Sequence, residues 1–140
     1  MKIASTSIDH IIDEHIHSPS LVYPTLAAGI VVTSAAGAWN LSAAFVPVVA
    51  AGVITERFDI HHISLELLSA NAVYELHLFW GVANTFAGSC RFTKNAVMDG
   101  TQNAPMQTIV IPAGSQIDAK IADSAGASAA TISLFYHTYD

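Results

Sequence analysis

The sequence predicts an all-β fold, a single antiparallel β-sandwich, on three observations. Apolar residues alternate with polar ones at a period of two in several segments. Glycines at 29, 37, 52, 81, 88, 100, 114 and 126 punctuate the chain, mostly 7 to 15 residues apart, and the longest gap is divided by Ser69-Ala70-Asn71. Beyond the amino-terminal segment no helical period recurs. Short alternating segments between closely spaced turn residues are the pattern of a sandwich. At 140 residues a jelly roll is the natural version. An immunoglobulin-type sandwich is disfavoured because its Cys…Trp…Cys spacing is missing.

Residues 1–20 form an arm and residues 21–140 the sandwich domain. In the arm Ile8, Ile11, Ile12 and Ile16 fall at i, i+3, i+4 and i+8, with Asp9, Asp13 and Glu14 on the other side and Ser7 as N-cap. Ten residues are marginal for an isolated helix, so an extended arm that orders on docking is the alternative. Pro19 and Pro24 end any helix and start the body. The first expected strands are Ile30–Thr33, Trp39–Ser42 and Phe45–Val49. Pro47 restricts the last of these to a sheet edge or a bulge.

From Phe58 onward the alternation is clearer. Phe58 and Ile60 keep one phase while Ile63, Leu65 and Leu67 keep the other, so one extra residue at His61-His62 predicts a β-bulge. Tyr74, Leu76, Leu78 and Trp80 alternate with Glu75, His77 and Phe79. Further strands are expected at Ser89–Thr93, Gln107–Ile111, Gln116–Ile121 and Thr131–His137. Asp99-Gly100 and Pro112-Ala113-Gly114-Ser115 carry turn chemistry.

Composition bounds the function. Between Ser18 and Thr55 the chain runs 38 positions without a charged residue. Its longest apolar run, Ala43 to Ile54, is twelve residues and holds Pro47 and Gly52. That falls short of the roughly 18–20 residues a membrane helix needs. Charged residues are 11% of the chain and apolar ones 52%, against norms of about 25% and about 45–50%. So little charge predicts burial beyond the fold itself, in an oligomer or a lattice. The net charge is −6, and the five basic residues Lys2, Arg57, Arg91, Lys94 and Lys120 form no run. No nucleic acid and no membrane is therefore expected as a partner. No secretory h-region precedes the arm, which predicts synthesis in a cytoplasm and residence there or in a particle assembled there.

Catalytic and metal chemistry find no clear motif. Cys90, the sole cysteine, reads as a small buried hydrophobe in a strand, with Arg91 facing the other way. Among seven histidines, His15-Ile16-His17 has a ligand-like spacing but lies in the arm. His61 and His62, as neighbours on a regular strand, face opposite ways unless the bulge realigns them. His77 and His137 take the outward phase of their strands. No metal, cofactor or catalytic residue is assigned. Phe79, Phe135 and Tyr139 fall on the phase opposite the core, where an aromatic ring is either covered or anchors a partner. Together with Ile8, Ile11, Ile12 and Ile16 of the arm, and Trp39, Phe45, Val46 and Pro47 of the uncharged stretch, they are the candidate interface residues.

The stretch Arg91-Phe-Thr-Lys-Asn-Ala-Val97, then Ile111-Pro-Ala-Gly-Ser115 and the ending Ala130-Thr-Ile-Ser-Leu-Phe-Tyr-His137, resembles the cement (decoration) proteins of tailed-bacteriophage capsids, from about Leu21 to the end. That resemblance implies a jelly-roll subunit, dimeric or trimeric, on the outside of an icosahedral shell, clamping adjacent major capsid proteins. It implies no catalytic residues. The expected function is thus a structural virion protein made in the host cytoplasm. The alternatives are a head–tail or tail component, a glycan-binding β-sandwich and, further off, a cupin-like metalloenzyme.

Overall fold

The computed structural model describes residues 20–95 and 102–139. The arm isoleucines 8, 11, 12 and 16 and the turn at Asp99-Gly100 lie outside the described residues. Among those described, nine strands form two antiparallel sheets packed face to face: β1 (Leu21–Tyr23), β2 (Ile30–Thr33), β3 (Val46–Val49), β4 (Arg57–Glu66), β5 (Ala72–Trp80), β6 (Thr85–Lys94), β7 (Gln102–Pro105), β8 (Ile117–Asp123) and β9 (Ala129–Tyr139). The one helical element among them is a three-residue 3-10 turn, Leu26–Ala28. None of the described helices is long and apolar enough to cross a membrane.

One sheet runs β1-β9-β4-β7, with β2 also pairing β9; the other runs β3-β8-β5-β6. With β1 and β2 as two halves of one interrupted strand, this is the eight-strand order of two interlocked Greek keys, a jelly roll. The interruption has a local cause. Pro24 has no N–H to give to β9, and the chain leaves the edge until Ile30 pairs with Ile132.

Alternation decides which side of each strand is buried. On β5, Tyr74, Leu76 and Leu78 are fully buried and meet Ile117, Ala119 and Ile121 of β8, which are fully buried as well. Phe58, Ile60, Ile63 and Leu65 of β4 and Ile132 and Leu134 of β9 close the core from the facing sheet. Each such apolar side chain contributes roughly 1.5–3 kcal/mol when removed from water. Tyr74 fixes the corner before its own strand: its hydroxyl donates to Ala70 O at 2.7 Å and accepts from Ala70 N at 3.2 Å. Its ring stacks on Phe92 at 5.2 Å. The Tyr74→Phe substitution keeps the ring and leaves both Ala70 groups unpaired. It is expected to cost about 1–2 kcal/mol, read as a lower denaturation midpoint at unchanged m-value.

The bulge predicted at His61-His62 is present, with the β4–β9 register shifting between Ile60 and His62. Pro47 sits on β3, an edge strand, and the β3–β8 register shifts next to it. Two expected strands are not strands. Trp39–Ser42 runs beside β8, with Trp39 N donating to Asp123 O at 2.7 Å and Ser42 N to Ile121 O at 2.9 Å. Trp39 has a φ of 62°, in the left-handed region, which breaks extended geometry, and Ser42 Oγ accepts from Ile121 N in place of a ladder carbonyl. Gln107–Ile111 likewise follows β4 irregularly. Thr108 Oγ1 accepts from Ile60 N, and Ile111 makes a single bridge to Phe58. From the His62–Pro105 pair to the Phe58–Ile111 bridge this segment takes six steps against four on β4, so it cannot keep a regular ladder and a side chain replaces a backbone partner.

Next to Trp39, the loop at Gly37 packs directly on Gly126. A Cβ on Gly126 would lie 2.6 Å from Gly37 N, and Gly126 has a φ of 90°. Only glycine allows this approach. The contact brings the β2–β3 connection against the β8–β9 turn, where Asp123 is fully buried.

Candidate functional site

The outer face of the β3-β8-β5-β6 sheet is built by the residues that alternate with the core. The tight turn Gly81–Asn84, closed by Asn84 N donating to Gly81 O at 3.1 Å, sets the β5–β6 register. That register places Phe79 opposite Phe86; a one-residue shift between Phe79 and Leu78 then sets His77 opposite Ser89 and Glu75 opposite Arg91. On the other side of β5, Phe79 faces Asp118 and His77 faces Lys120. Phe45, entering β3, packs edge-on to Phe79 with ring centroids 5.0 Å apart; Phe79 packs edge-on to Phe86 at 5.9 Å and His77 on Phe86 at 5.6 Å. Four rings from two strands and a loop thus make one continuous band. Phe86 is 53% exposed and Phe45 38%.

The charges on this face are held by aromatic rings or by one another. Lys120 Nζ lies 4.3 Å from the Phe45 ring centroid, and the Arg91 guanidinium lies 4.9 Å from that of Trp39, which is 45% exposed. Glu75 accepts from His77 Nε2 at 2.6 Å and from Arg91 Nε at 3.1 Å. The hydrogen bond from His77, then that from Arg91, holds its carboxyl below the usual carboxylate value. The result is a half-polar, aromatic surface on which each cation lies over a ring, with the Arg91 side chain still largely exposed.

The expected interface residues therefore do not form one patch. Trp39, Phe45 and Phe79 share this face. Val46 packs against the core and Pro47 is exposed at the sheet edge. Phe135 and Tyr139 are half-buried on the opposite sheet, where Phe135 stacks on His62 at 5.0 Å and the Tyr139 hydroxyl donates to Asp59 Oδ2 at 2.8 Å. Phe86 was missed by sequence reasoning. The signal lies in the turn: two-fold pairing about Val82-Ala83 puts Phe86 across from Phe79. Cys90 is buried, 8% exposed, and burial pushes its thiol up to about 12. It is protonated at neutral pH, which suits the packing role and not a nucleophile. Elsewhere an open depression of about 320 Å³ is lined by Leu21, Val53, Ile54, Thr55, Glu56, Tyr136 and Thr138, with Glu56 its one carboxylate.

No protein-family model matches this chain, and no curated protein matches it. Among solved structures, the Eiger TNF of S. frugiperda is similar over 87% of this chain and 94% of its own, at 10% identity and a TM-score of 0.42. A structure of the Gt strain of infectious bursal disease virus is similar over 87% of this chain and 31% of its own, at 16% identity and a TM-score of 0.35. No cement protein is identified among them. At these scores the likenesses carry no argument, and the jelly-roll assignment rests on this chain's own strand order.

Proposed function

We propose that this chain is a non-enzymatic structural subunit of a virion. It sits on the outer surface of an icosahedral phage capsid, bridges neighbouring major capsid proteins, and associates with copies of itself. The observation that carries this reading is the exposed aromatic band of Phe45, Phe79 and Phe86, on a chain in which 11% of residues are charged. Partly exposed rings of this kind, flanked by cations over aromatics, are the composition of protein contact surfaces rather than of solvated ones. A rigid two-sheet body also suits a part that resists outward stress without moving. An acidic net charge keeps such a subunit off packaged DNA. Seventeen arm residues, if extended at about 3.3 Å each, reach on the order of 55 Å and so contact a neighbouring subunit. Many modest contacts on one shell add through multivalency.

The test is imaging of particles from an infected host that carry a labelled copy of the chain. Label over the faces or vertices of heads supports the proposal; label confined to the head–tail junction or the tail overturns it in favour of a connector part. A second expected outcome concerns the arm. Deleting residues 1–17 leaves a folded sandwich that no longer decorates heads, read as circular dichroism alongside particle occupancy. Normal occupancy of the truncated form would remove the arm from the docking reading.

A further inference from the structure

The outer face of the other sheet carries a cluster that the interface does not use. Asp59 and His137 are direct cross-strand partners of β4 and β9. His61 lies two residues after Asp59, so ordinary alternation places it on the same side of β4, out of the core. A second imidazole therefore stands beside the Asp59–His137 pair, and the bulge after Ile60 brings His62 to that outer side as well, where it stacks on Phe135. The His61 and His137 ring centroids lie 3.8 Å apart. One ligand atom from each of Asp59, His61 and His137 falls within 4.8 Å of the others.

The geometry points to a divalent transition-metal site, of the zinc class, formed by Asp59, His61 and His137. Asp59 is 4% exposed, and its two carboxylate oxygens have different surroundings. Oδ2 accepts from the Tyr139 hydroxyl at 2.8 Å and from Gln107 Nε2 at 3.1 Å. Oδ1 is buried and makes no hydrogen bond, and neither does the buried Nε2 of His61. These two atoms face each other at 3.1 Å without the alignment of a donor and an acceptor. Zinc bound at about 2.0–2.1 Å in tetrahedral geometry separates its ligands by about 3.3 Å, close to that spacing. Two imidazoles and one carboxylate are a donor set suited to zinc, cobalt or nickel rather than to calcium or magnesium. The two donors on Oδ2 act as an outer shell that aims Oδ1 at the ion. The segment after β7 delivers Gln107 to this place, with Met106 N donating to His61 O at 2.7 Å and Thr108 N to Ile60 O at 3.2 Å. An ion there ties the end of β9 to the bulge of β4. The site lies outside the sandwich rather than inside it, so it is a binding and tethering site with no reaction assigned, and it stands independently of the capsid reading.

The experiment uses the full-length chain, dialysed against a chelator and then titrated with zinc chloride, with cobalt chloride as a spectroscopic probe. The expected result is one zinc per chain and a rise in melting temperature. Visible cobalt bands of a low-coordinate site are expected too. His61→Ala with His137→Ala removes this stoichiometric binding, while His15→Ala with His17→Ala leaves it, which separates the cluster from the arm histidines. Should the double alanine variant fail to fold, Asp59→Asn keeps the side-chain shape and is expected to weaken zinc at least a hundredfold. Tyr139→Phe, which leaves Oδ2 with Gln107 as its donor and keeps every ligand, weakens it about tenfold. A wild-type chain that takes up no zinc at millimolar concentration overturns the site. So does uptake that is unchanged in the folded His61/His137 or Asp59→Asn variants.

Discussion

Replacing Asp123 by alanine is expected to destabilise the fold by about 3 kcal/mol, lowering the melting temperature by roughly 12 °C. Asp123 is fully buried and gathers five donors: Ser34 Oγ, Ala125 N at 2.8 Å, Gly126 N at 2.5 Å, Ser128 N at 3.4 Å and Ser128 Oγ at 3.1 Å. Removing the carboxylate leaves several of these buried donors without an acceptor, which costs more than the bonds themselves contribute. The same network joins the β2–β3 connection to the β8–β9 turn, so the loss is not local. Burial by itself would raise this carboxyl's pKa. The hydrogen bond from Ser34, then those from Gly126, Ala125 and Ser128, prevail and hold it below the ordinary 3.8. A depressed folded pKa gives stability that is fully present above 3.8 and lost as pH falls through the folded value. Between pH 7 and pH 5 this group therefore leaves stability unchanged. Below about pH 4 the gap between wild type and Asp123→Ala narrows, which thermal melts of both proteins at several pH values would show. A gap that stays constant down to pH 2 would mean that Asp123 is not charged in the fold.

The second large effect falls on association. Phe86→Glu places a carboxylate in the aromatic band, on edge strand β6, at a side chain already 53% exposed. Folding stability is expected to change by less than about 1 kcal/mol, because little buried area is removed. Binding to shells or to a second copy is expected to weaken about thirtyfold or more, because the substitution takes the band's most exposed ring out of the interface and forces a carboxylate to shed its water. A sedimentation and head-binding titration of Phe86→Glu against wild type reads this directly. Equal binding by the two would move the contact surface off this sheet. Phe79 is the less informative variant, because it packs against both Phe45 and Phe86 and its removal also disturbs the subunit.

Much of the fold is legible in the sequence because burial imposes a period of two wherever one face of a strand is covered. Tyr74, Leu76 and Leu78 show it plainly, and the slip from Phe58 and Ile60 to Ile63 and Leu65 marks the bulge to the residue. The missed strands are short or polar. Gln102–Pro105 buries only Ala104 deeply and lies at a sheet edge, and Leu21–Tyr23 is three residues long; neither leaves a hydrophobic alternation to read. Trp39–Ser42 misled for the opposite reason. Its composition suits a strand, but the left-handed φ of Trp39 and the packing of Gly37 on Gly126 turn it into an irregular strip along β8.

Local order in this protein follows from sequence by itself: alternation, turn glycines, the restriction on Pro47, the lack of charge and the inward placement of Cys90 are properties of neighbouring residues. Which distant side chains meet was decided by the tertiary structure. The β5–β6 hairpin brings Phe86 to Phe79 and Arg91 to Glu75, whose other partner, His77, lies two residues along the same strand. The β4–β9 register is set by hydrogen bonding between segments far apart in the chain, and no local pattern encodes it. That register carried His137, with Tyr139, to Asp59, beside which His61 already stands on the same side of β4. The residues were visible from the start, but their chemistry exists only once β4 and β9 are paired.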